Sequence, residues 1–170
     1  FEIMKARAKL SASGKLYLLN APDDYPYTSV SPDEYEKVIY PSVIARIRWL
    51  QSATDLLEEH IKSAGFTIPP VTFEMDRFSL QRNGVCHISS DGEANRIGIS
   101  PVYIDGPDVV QTLTHELVHA IDNCLHGHYG GFVRIATKIG LVGPGRSQQP
   151  DKRLKALFDE IWKELGPYPH

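Results

Sequence analysis

The spacing of hydrophobic residues predicts helices in the first part of the chain. Between residues 43 and 61, apolar side chains recur every three or four positions, which predicts a long helix that ends near Ala64, before Gly65. Upstream, the run Ser31-Pro-Asp-Glu34 has the N-cap pattern that begins a shorter helix. We expect Pro41 to break or kink the chain between the two helices, because a proline in a helix interior removes a backbone hydrogen bond.

The hydrophobic pattern changes to period two after Pro69 and Pro70, and this change predicts strands. Residues 71–75 alternate between apolar and polar side chains, as in a half-buried strand. An Asn-Gly pair and an Asp-Gly pair then predict turns, which leave 85–88 as a returning or next strand and 96–100 as a further strand. Helices followed by a small sheet of three to four strands indicate an α+β fold.

A segment that begins near residue 107 has an apolar face and a polar face at helical spacing. The apolar positions are Val110, Leu113, Leu117 and Ile121. The polar positions are Thr112, His115, His119, Asp122 and His126. Asp108 is the predicted N-cap, with Gln111 three residues on and Pro107 just outside the helix. The sequence therefore predicts a helix that buries one face and presents imidazoles on another.

Two of these histidines belong to the motif His115-Glu116-Leu-Val-His119. Residues i and i+4 lie on one face of a helix, so both imidazoles can bind one metal ion, with Glu116 beside a bound water. Two neutral nitrogens and a third protein ligand leave the fourth position of zinc open for that water. The pKa of water is lowered at such a site, and a carboxylate takes its proton as the water attacks a carbonyl. The motif therefore predicts zinc hydrolase chemistry with Glu116 as the general base.

The motif by itself does not identify the third ligand. A metzincin would carry a glycine three residues and a histidine six residues after the second histidine, but these positions hold Asp122 and Leu125. Asp122 is better placed to orient a ligand than to bind the same ion, and Cys124 falls on the apolar side of the helix. His126 and His128 remain as the two candidates.

Residues 115–132 resemble the core of the SprT-like zinc metallopeptidases. The motif is followed by Gly127-His128-Tyr-Gly-Gly-Phe132, which is similar to the Gly-His-x-x-x-Phe element of that family. The resemblance implies that His128 is the third zinc ligand and that Phe132 opens the next helix. It covers roughly residues 40–142 and implies a zincin-like core, with N-terminal helices packed on the sheet, an active-site helix and C-terminal helices.

The chain beyond the motif is predicted to contain two more helices. Their spacing and end signals place one helix at 132–139 before Gly140, a mobile loop at 143–150 and a last helix at 151–165. The stretch 85–100 borders the predicted metal helix and is our candidate substrate-binding edge, because an extended peptide can pair with an edge strand. Four side chains are equal candidates for stabilising an oxyanion: Tyr103, Tyr129, Arg134 and Arg146.

Composition is that of an ordinary globular protein. The 170 residues, 42% hydrophobic and 23% charged, predict an N-terminal arm or loop at 1–30 and a single SprT-like metallopeptidase domain at 31–170. The formal net charge of −3 gives no general electrostatic reason to bind nucleic acid or an anionic membrane. We expect no membrane association, because no apolar run approaches the length of a bilayer-spanning helix.

Two cysteines, Cys86 and Cys124, lie in segments that need not meet. They predict no disulfide framework, and they cannot supply the four thiolates of the C-terminal zinc ribbon that many SprT-like proteins carry. The N-terminus also lacks the pattern of a secretory signal. A reducing, cytoplasmic location is the expectation that follows.

Together these patterns predict a zinc-dependent endopeptidase that acts on protein or peptide substrates. Its Zn²⁺ would lie on His115, His119 and His128, with Glu116 as the catalytic base. A second hypothesis is a non-catalytic, zinc-stabilised binding module, in which four protein ligands close the metal site. A third is a protease that acts on DNA-associated proteins, which the charge balance and the missing thiolates do not favour. The sequence does not predict the oligomeric state.

Overall fold

The computed structural model describes residues 8–10, 16–18, 40–75, 83–88, 92–99 and 106–169. The first elements in chain order are β1 (Ala8–Leu10), β2 (Leu16–Leu18), α1 (Tyr40–Ser63), β3 (Val71–Met75), β4 (Gly84–Ile88) and β5 (Asn95–Ile99). They are followed by α2 (Gly106–Ile121), α3 (Gly130–Ile139), β6 (Leu141–Val142), β7 (Gln149–Pro150) and α4 (Lys152–Leu165). The fold is therefore a mixed α+β fold, as predicted.

The main sheet has five strands among the described residues, in the order β2-β1-β3-β5-β4. It exceeds the three to four strands predicted, because β1 and β2 pair with each other and add to β3. Both strands fall within residues 1–30, so that stretch is not only an arm or loop; the boundary of the domain at residue 31 stays a prediction.

The strand predictions were correct in position, and the structure decides between the alternatives left open for their pairing. All three predicted strands form within one or two residues of the predicted bounds. However, β4 does not return onto β3, since β3 pairs in parallel with β5 and β4 pairs antiparallel with β5. Because β5 occupies the position next to β3, β4 becomes the outer strand on the side of the sheet that lies against α2.

Helix α1 begins at Tyr40 and runs unbroken past Pro41. A proline is tolerated in a first helical turn, where its missing N–H would have had no partner, so the predicted break coincides with the start of the helix. The shorter helix predicted from Ser31 lies outside the described residues. The buried face of α1 includes Leu50, Leu57 and Ile61, none of which is exposed.

The core is built around α2, which contacts α1, α3, α4, β4 and β5. Its buried apolar side chains are Val109, Val110, Leu113, Leu117, Val118 and Ala120. The amide of Asn95 on β5 also donates to the carbonyl of Ala120 at 3.2 Å, which fixes the end of the helix against the sheet. The position of α2 is thus set on both its apolar face and its C-terminal end.

The C-terminal region contains a short hairpin, whose loop accounts for most of the stretch predicted as a mobile loop. Helix α3 ends at Gly140, which has a left-handed φ of 109° and donates to the carbonyl of Ala136. Strands β6 and β7 then pair, Leu141 with Pro150 and Val142 with Gln149. The predicted loop is therefore confirmed for 143–148 but not for 149–150, which form β7, and its mobility stays a prediction. Glycine and proline content indicated a turn, but not that its two ends would pair.

Helix α4 and the tail behind it close the fold against α1. The Asp151 carboxylate accepts from the N–H of Leu154 at 2.8 Å and caps α4. After the helix, Arg46 of α1 donates to the carbonyl of Pro169 at 2.7 Å, and Tyr168 packs edge-on against Trp49. Within the described part of the chain, no helix combines the length and apolarity needed to cross a membrane.

Candidate metal centre

Helix α2 carries the first two histidines of the motif one turn apart. The ring centroids of His115 and His119 are 5.0 Å apart, as the four-residue spacing predicts. The predicted capping by Asp108 and Gln111 was wrong, because α2 begins two residues earlier at Gly106 and includes Pro107. The Gln111 amide instead donates to the backbone carbonyl of Gln148 at 2.9 Å, so it ties α2 to the β6–β7 hairpin.

A tight bend after α2 turns the chain back toward these histidines. Asn123 and Cys124 have left-handed φ values of 52° and 54°, and the N–H of Cys124 donates to the carbonyl of His119 at 2.8 Å. Asp122 accepts from the backbone N–H of His126 at 2.9 Å and from its ring Nδ1 at 2.7 Å. These contacts hold His126 at the surface, with its side chain 52% exposed, and direct the chain inward at His128.

The third imidazole at the site is that of His128. Its Nε2 atom lies 3.1 Å from Nε2 of His115 and 3.2 Å from Nε2 of His119. Tetrahedral ligands at zinc–nitrogen distances of about 2.0–2.1 Å would be separated by about 3.3 Å, so the three nitrogens fit a single zinc ion. His126 is not part of this group, in which one ligand atom from each residue lies within 4.8 Å of the others.

The environment keeps these imidazoles neutral. The pKa of His115 and of His119 is lowered to about 4, mainly by burial and to a smaller extent by the neighbouring imidazoles. Burial also lowers the pKa of His128, with a smaller contribution from the charge of Arg146. The Phe132 ring packs against all three, with ring centroids 4.3 to 5.2 Å apart. Neutral rings with free lone pairs, held by an apolar base, are the form that binds a metal ion.

Glu116 is buried on the side of α2 that faces β4. Its side chain is only 5% exposed, and burial raises its pKa to about 8. A Cβ atom on Gly84 would lie 2.7 Å from its Oε1, so the strand can approach the carboxylate this closely only because residue 84 is glycine. From the sequence, Gly84 was predicted only to lie in a turn. Its contact with Glu116 was not predicted, because that contact depends on the packing of β4 on α2.

The β6–β7 hairpin contacts the site from the other end of the chain. A Cβ on Gly145 would collide with the backbone carbonyl of His128. Gln148 is only 4% exposed, and its side-chain amide lies beside His115, where it opposes the lowering of the pKa of that ring by burial. Nothing in the sequence pattern distinguished Gln148 from the other polar residues of its loop.

The two cysteines meet beside the site, which corrects the expectation that their segments need not meet. Their Sγ atoms are 3.5 Å apart, and both are free thiols. Cys86 lies on β4, which packs on α2, and Cys124 lies in the bend directly after α2, so the packing brings them together. Burial raises the pKa of both thiols, so Cys124 is not a ready thiolate ligand.

The candidates for substrate contact lie in different places. Tyr129 follows His128 and is 77% exposed, while Arg134 and Arg146 are also exposed. Tyr103 lies outside the described residues. Of the predicted substrate edge at 85–100, β5 is interior to the sheet, and β4 is paired on one side only among the described strands. Of the predicted stretch, only β4 therefore remains a candidate substrate-binding edge.

Comparison with known proteins agrees with the geometry of the site. The SprT-like family matches the chain over residues 50–153, which include α2, the bend and the β6–β7 hairpin. No curated protein and no solved structure matches the chain significantly. Because the family match covers more than half of the sequence, the chain belongs to the SprT-like family.

Proposed function

We propose that the protein is a zinc-dependent metallopeptidase that cleaves peptide bonds within protein substrates. The observation that carries this proposal is the convergence of three Nε2 atoms, from His115, His119 and His128, at separations suited to one zinc ion. Two come from the helix and one from the bend, which is the arrangement that the SprT-like resemblance implies. Nitrogen donors at tetrahedral spacing favour zinc over calcium or magnesium, which prefer oxygen ligands.

The ligand set favours catalysis over a structural zinc site. A structural site is closed by four protein ligands, whereas a catalytic site keeps one position for water. Among the described residues, the group that can hold a metal contains only the three imidazoles. His126 is bound to Asp122, and Cys124 lies against Cys86, so neither is placed as a fourth ligand. This observation weighs against the alternative of a non-catalytic binding module.

In this proposal each side chain has a separate task. The three imidazoles hold the ion, and Phe132 excludes water from the back of the rings. A zinc ion held there would supply Lewis-acid activation of a water molecule and of the scissile carbonyl. Glu116 accepts the proton of the attacking water and delivers it to the leaving amine, a task suited to a carboxylate whose basicity is raised by burial. Arg146, whose charge acts on His128, and Tyr129, which follows His128 in the chain, are the candidates that we favour for stabilising the oxyanion.

The substrate would bind as an extended strand along β4. The side of β4 that no described strand pairs with offers backbone hydrogen-bond groups next to α2. Exposed apolar side chains lie at the end of β4 and in the bend, namely Ile88, Leu125 and Tyr129. They would contact apolar side chains of the substrate, so we propose a protein or peptide substrate. A substrate bound to DNA remains a separate hypothesis, which salt-dependent DNA binding by the protein would support.

The substitution Glu116→Gln tests the mechanism. It removes the base but keeps the size of the side chain, so we expect zinc content to be unchanged and kcat on a labelled unfolded protein to fall by at least about 100-fold. Glu160→Gln, an exposed change on α4, is the matched control and should retain activity. Full activity in the Glu116→Gln protein would contradict the proposed role of Glu116. Wild-type protein that binds zinc but cleaves no substrate would instead favour the binding module.

A further inference from the structure

Gln148 is a buried polar residue that the mechanism above does not use. Only 4% of its surface is exposed, and neither its side-chain Nε2 nor its Oε1 has a hydrogen-bond partner of good geometry among the described residues. A buried amide in this state is unfavourable, because it has lost its water without gaining a replacement. We therefore expect a hydrogen-bond partner for this amide close by.

The backbone of Gln148 is held next to the metal ligands. Gln111 of α2 donates to its carbonyl at 2.9 Å. Because Gln111 and His115 are four residues apart on α2, they lie on the same face of the helix, one turn from each other. The pairing of Val142 with Gln149 and the hydrogen bond from Ser147 to Pro144 fix the hairpin on either side. The backbone of Gln148 is thus held next to the turn of α2 that precedes His115, by contacts independent of that ring.

His115 has one nitrogen in need of an acceptor. Its Nε2 faces Nε2 of His128 at 3.1 Å, so this nitrogen belongs to the ligand group and Nδ1 is the nitrogen that remains. An imidazole that binds a metal through one nitrogen carries its proton on the other, and that proton is normally bound by a carboxylate, a carbonyl or water. The amide oxygen of Gln148 is an acceptor of the right kind in the right place.

We propose that Gln148 is a positioning residue, whose Oε1 accepts a hydrogen bond from Nδ1–H of His115 and thereby fixes the ring that presents Nε2 to the metal. This inference rests on the proposed function as regards the ion, but the contact itself is a property of the protein. The hairpin then sets the orientation of a ligand on α2, more than 30 residues away in sequence. Loss of such a partner typically weakens metal binding by about 10–100-fold.

The test compares two substitutions at Gln148 with one at its neighbour. Gln148→Leu removes the acceptor but keeps the volume, and Gln148→Glu keeps an acceptor oxygen. Gln149→Leu, at an exposed position of β7, is the matched control. Zinc affinity is measured for each by competition with a chromophoric chelator. We expect about 10–100-fold weaker binding for Gln148→Leu, and binding close to that of wild type for Gln148→Glu and Gln149→Leu.

A second readout does not depend on zinc. Nitrogen-15 NMR of the metal-free protein reports which nitrogen of His115 carries the proton. We expect Nδ1–H in wild type and in Gln148→Glu, and a shift toward Nε2–H in Gln148→Leu. An unchanged tautomer in Gln148→Leu would overturn the inference, as would equal loss of zinc affinity in both Gln148 variants, which would indicate a packing role only. If the wild-type protein failed to bind zinc, the proposed function would fall, while the tautomer would still decide the contact.

Discussion

The ligand segment, residues 115–128, and the surrounding elements, β4 and the β6–β7 hairpin, contribute to the same site in different ways. The ligand segment places three imidazoles by a helical repeat and a bend whose hydrogen bonds lie within it. The surrounding elements reach the site only through tertiary packing, with Gly84 against Glu116 and Gln148 beside His115. Under the proposed function, the difference teaches that metal affinity begins in local spacing, whereas the orientation of the ligands and of the proposed base depends on distant chain segments.

The largest expected effect comes from removing a ligand. His128→Ala should lose nearly all bound zinc, because two imidazoles on one helix turn cannot complete the anchor that a catalytic site needs. His126→Ala should retain about one zinc per chain, because His126 is bound to Asp122 and points to solvent. Metal analysis of the purified proteins measures both. The reverse result, with zinc lost only from His126→Ala, would exclude the ligand set proposed above.

A smaller effect is expected from a change in a surrounding element. Gly84→Ala would place a Cβ 2.7 Å from Oε1 of Glu116 and 2.8 Å from the Thr112 methyl group, so the carboxylate must move. We expect kcat to fall by about 100-fold, since a displacement on the order of 1 Å can cost that much, while zinc affinity changes little. Steady-state kinetics and chelator competition separate the two quantities.

The exposed residue His87, on the same strand, provides the control for Gly84. His87→Ala should leave kcat unchanged, because the side chain lies next to Arg96 in the register of β4 and β5, on the face of the sheet away from Cys86. Equal activity in Gly84→Ala and in wild type would show that β4 does not determine the position of Glu116. Only the contact of Gln148 with His115 would then link the surrounding elements to the site.

The smallest effect concerns pH and the metal-free protein. Burial lowers the pKa of His115 and His119 from 6.5 to about 4, so the unfolded chain binds protons more readily than the folded protein between these values. Glu116 acts in the opposite direction, because burial raises its pKa from 4.5 to about 8 and the folded protein therefore binds its proton more readily. Two histidines outweigh one carboxylate, so the free energy of unfolding should fall as the pH decreases from about 6.5 to about 4. Urea unfolding at several pH values measures it. In the His119→Ala protein this dependence should be weaker; an unchanged slope would contradict the assignment to these rings.

The sequence predicted the structure correctly where a local spacing of residue types determines it. The four-residue spacing of His115 and His119 placed them together, and the alternation at 71–75 located β3 correctly. The position of His128 followed only from the family resemblance, because the residues alone left His126 as an equal candidate. The hydrogen bond between Asp122 and His126, which distinguishes the two histidines in the structure, depends on how the bend folds.

What the sequence did not reveal depends on contacts between distant segments. Cys86 and Cys124 are 38 residues apart and meet only because β4 packs on α2. The pairing of β3 with β5, rather than with β4, likewise follows from the sheet as a whole. Gln148 and Gly84 belong to turn-like stretches by composition, and only the tertiary structure shows that each lies next to a residue of the candidate metal centre.

The closeness of His115, His119 and His128 in the sequence also affects the denatured state. All three lie within a stretch of fourteen residues, counted from 115 through 128. An unfolded chain therefore retains a short chelating peptide that competes for the same ion. Since any affinity of the unfolded chain for a ligand subtracts from the stabilisation that the ligand gives, zinc should raise the melting temperature by less than its affinity for the native protein would imply.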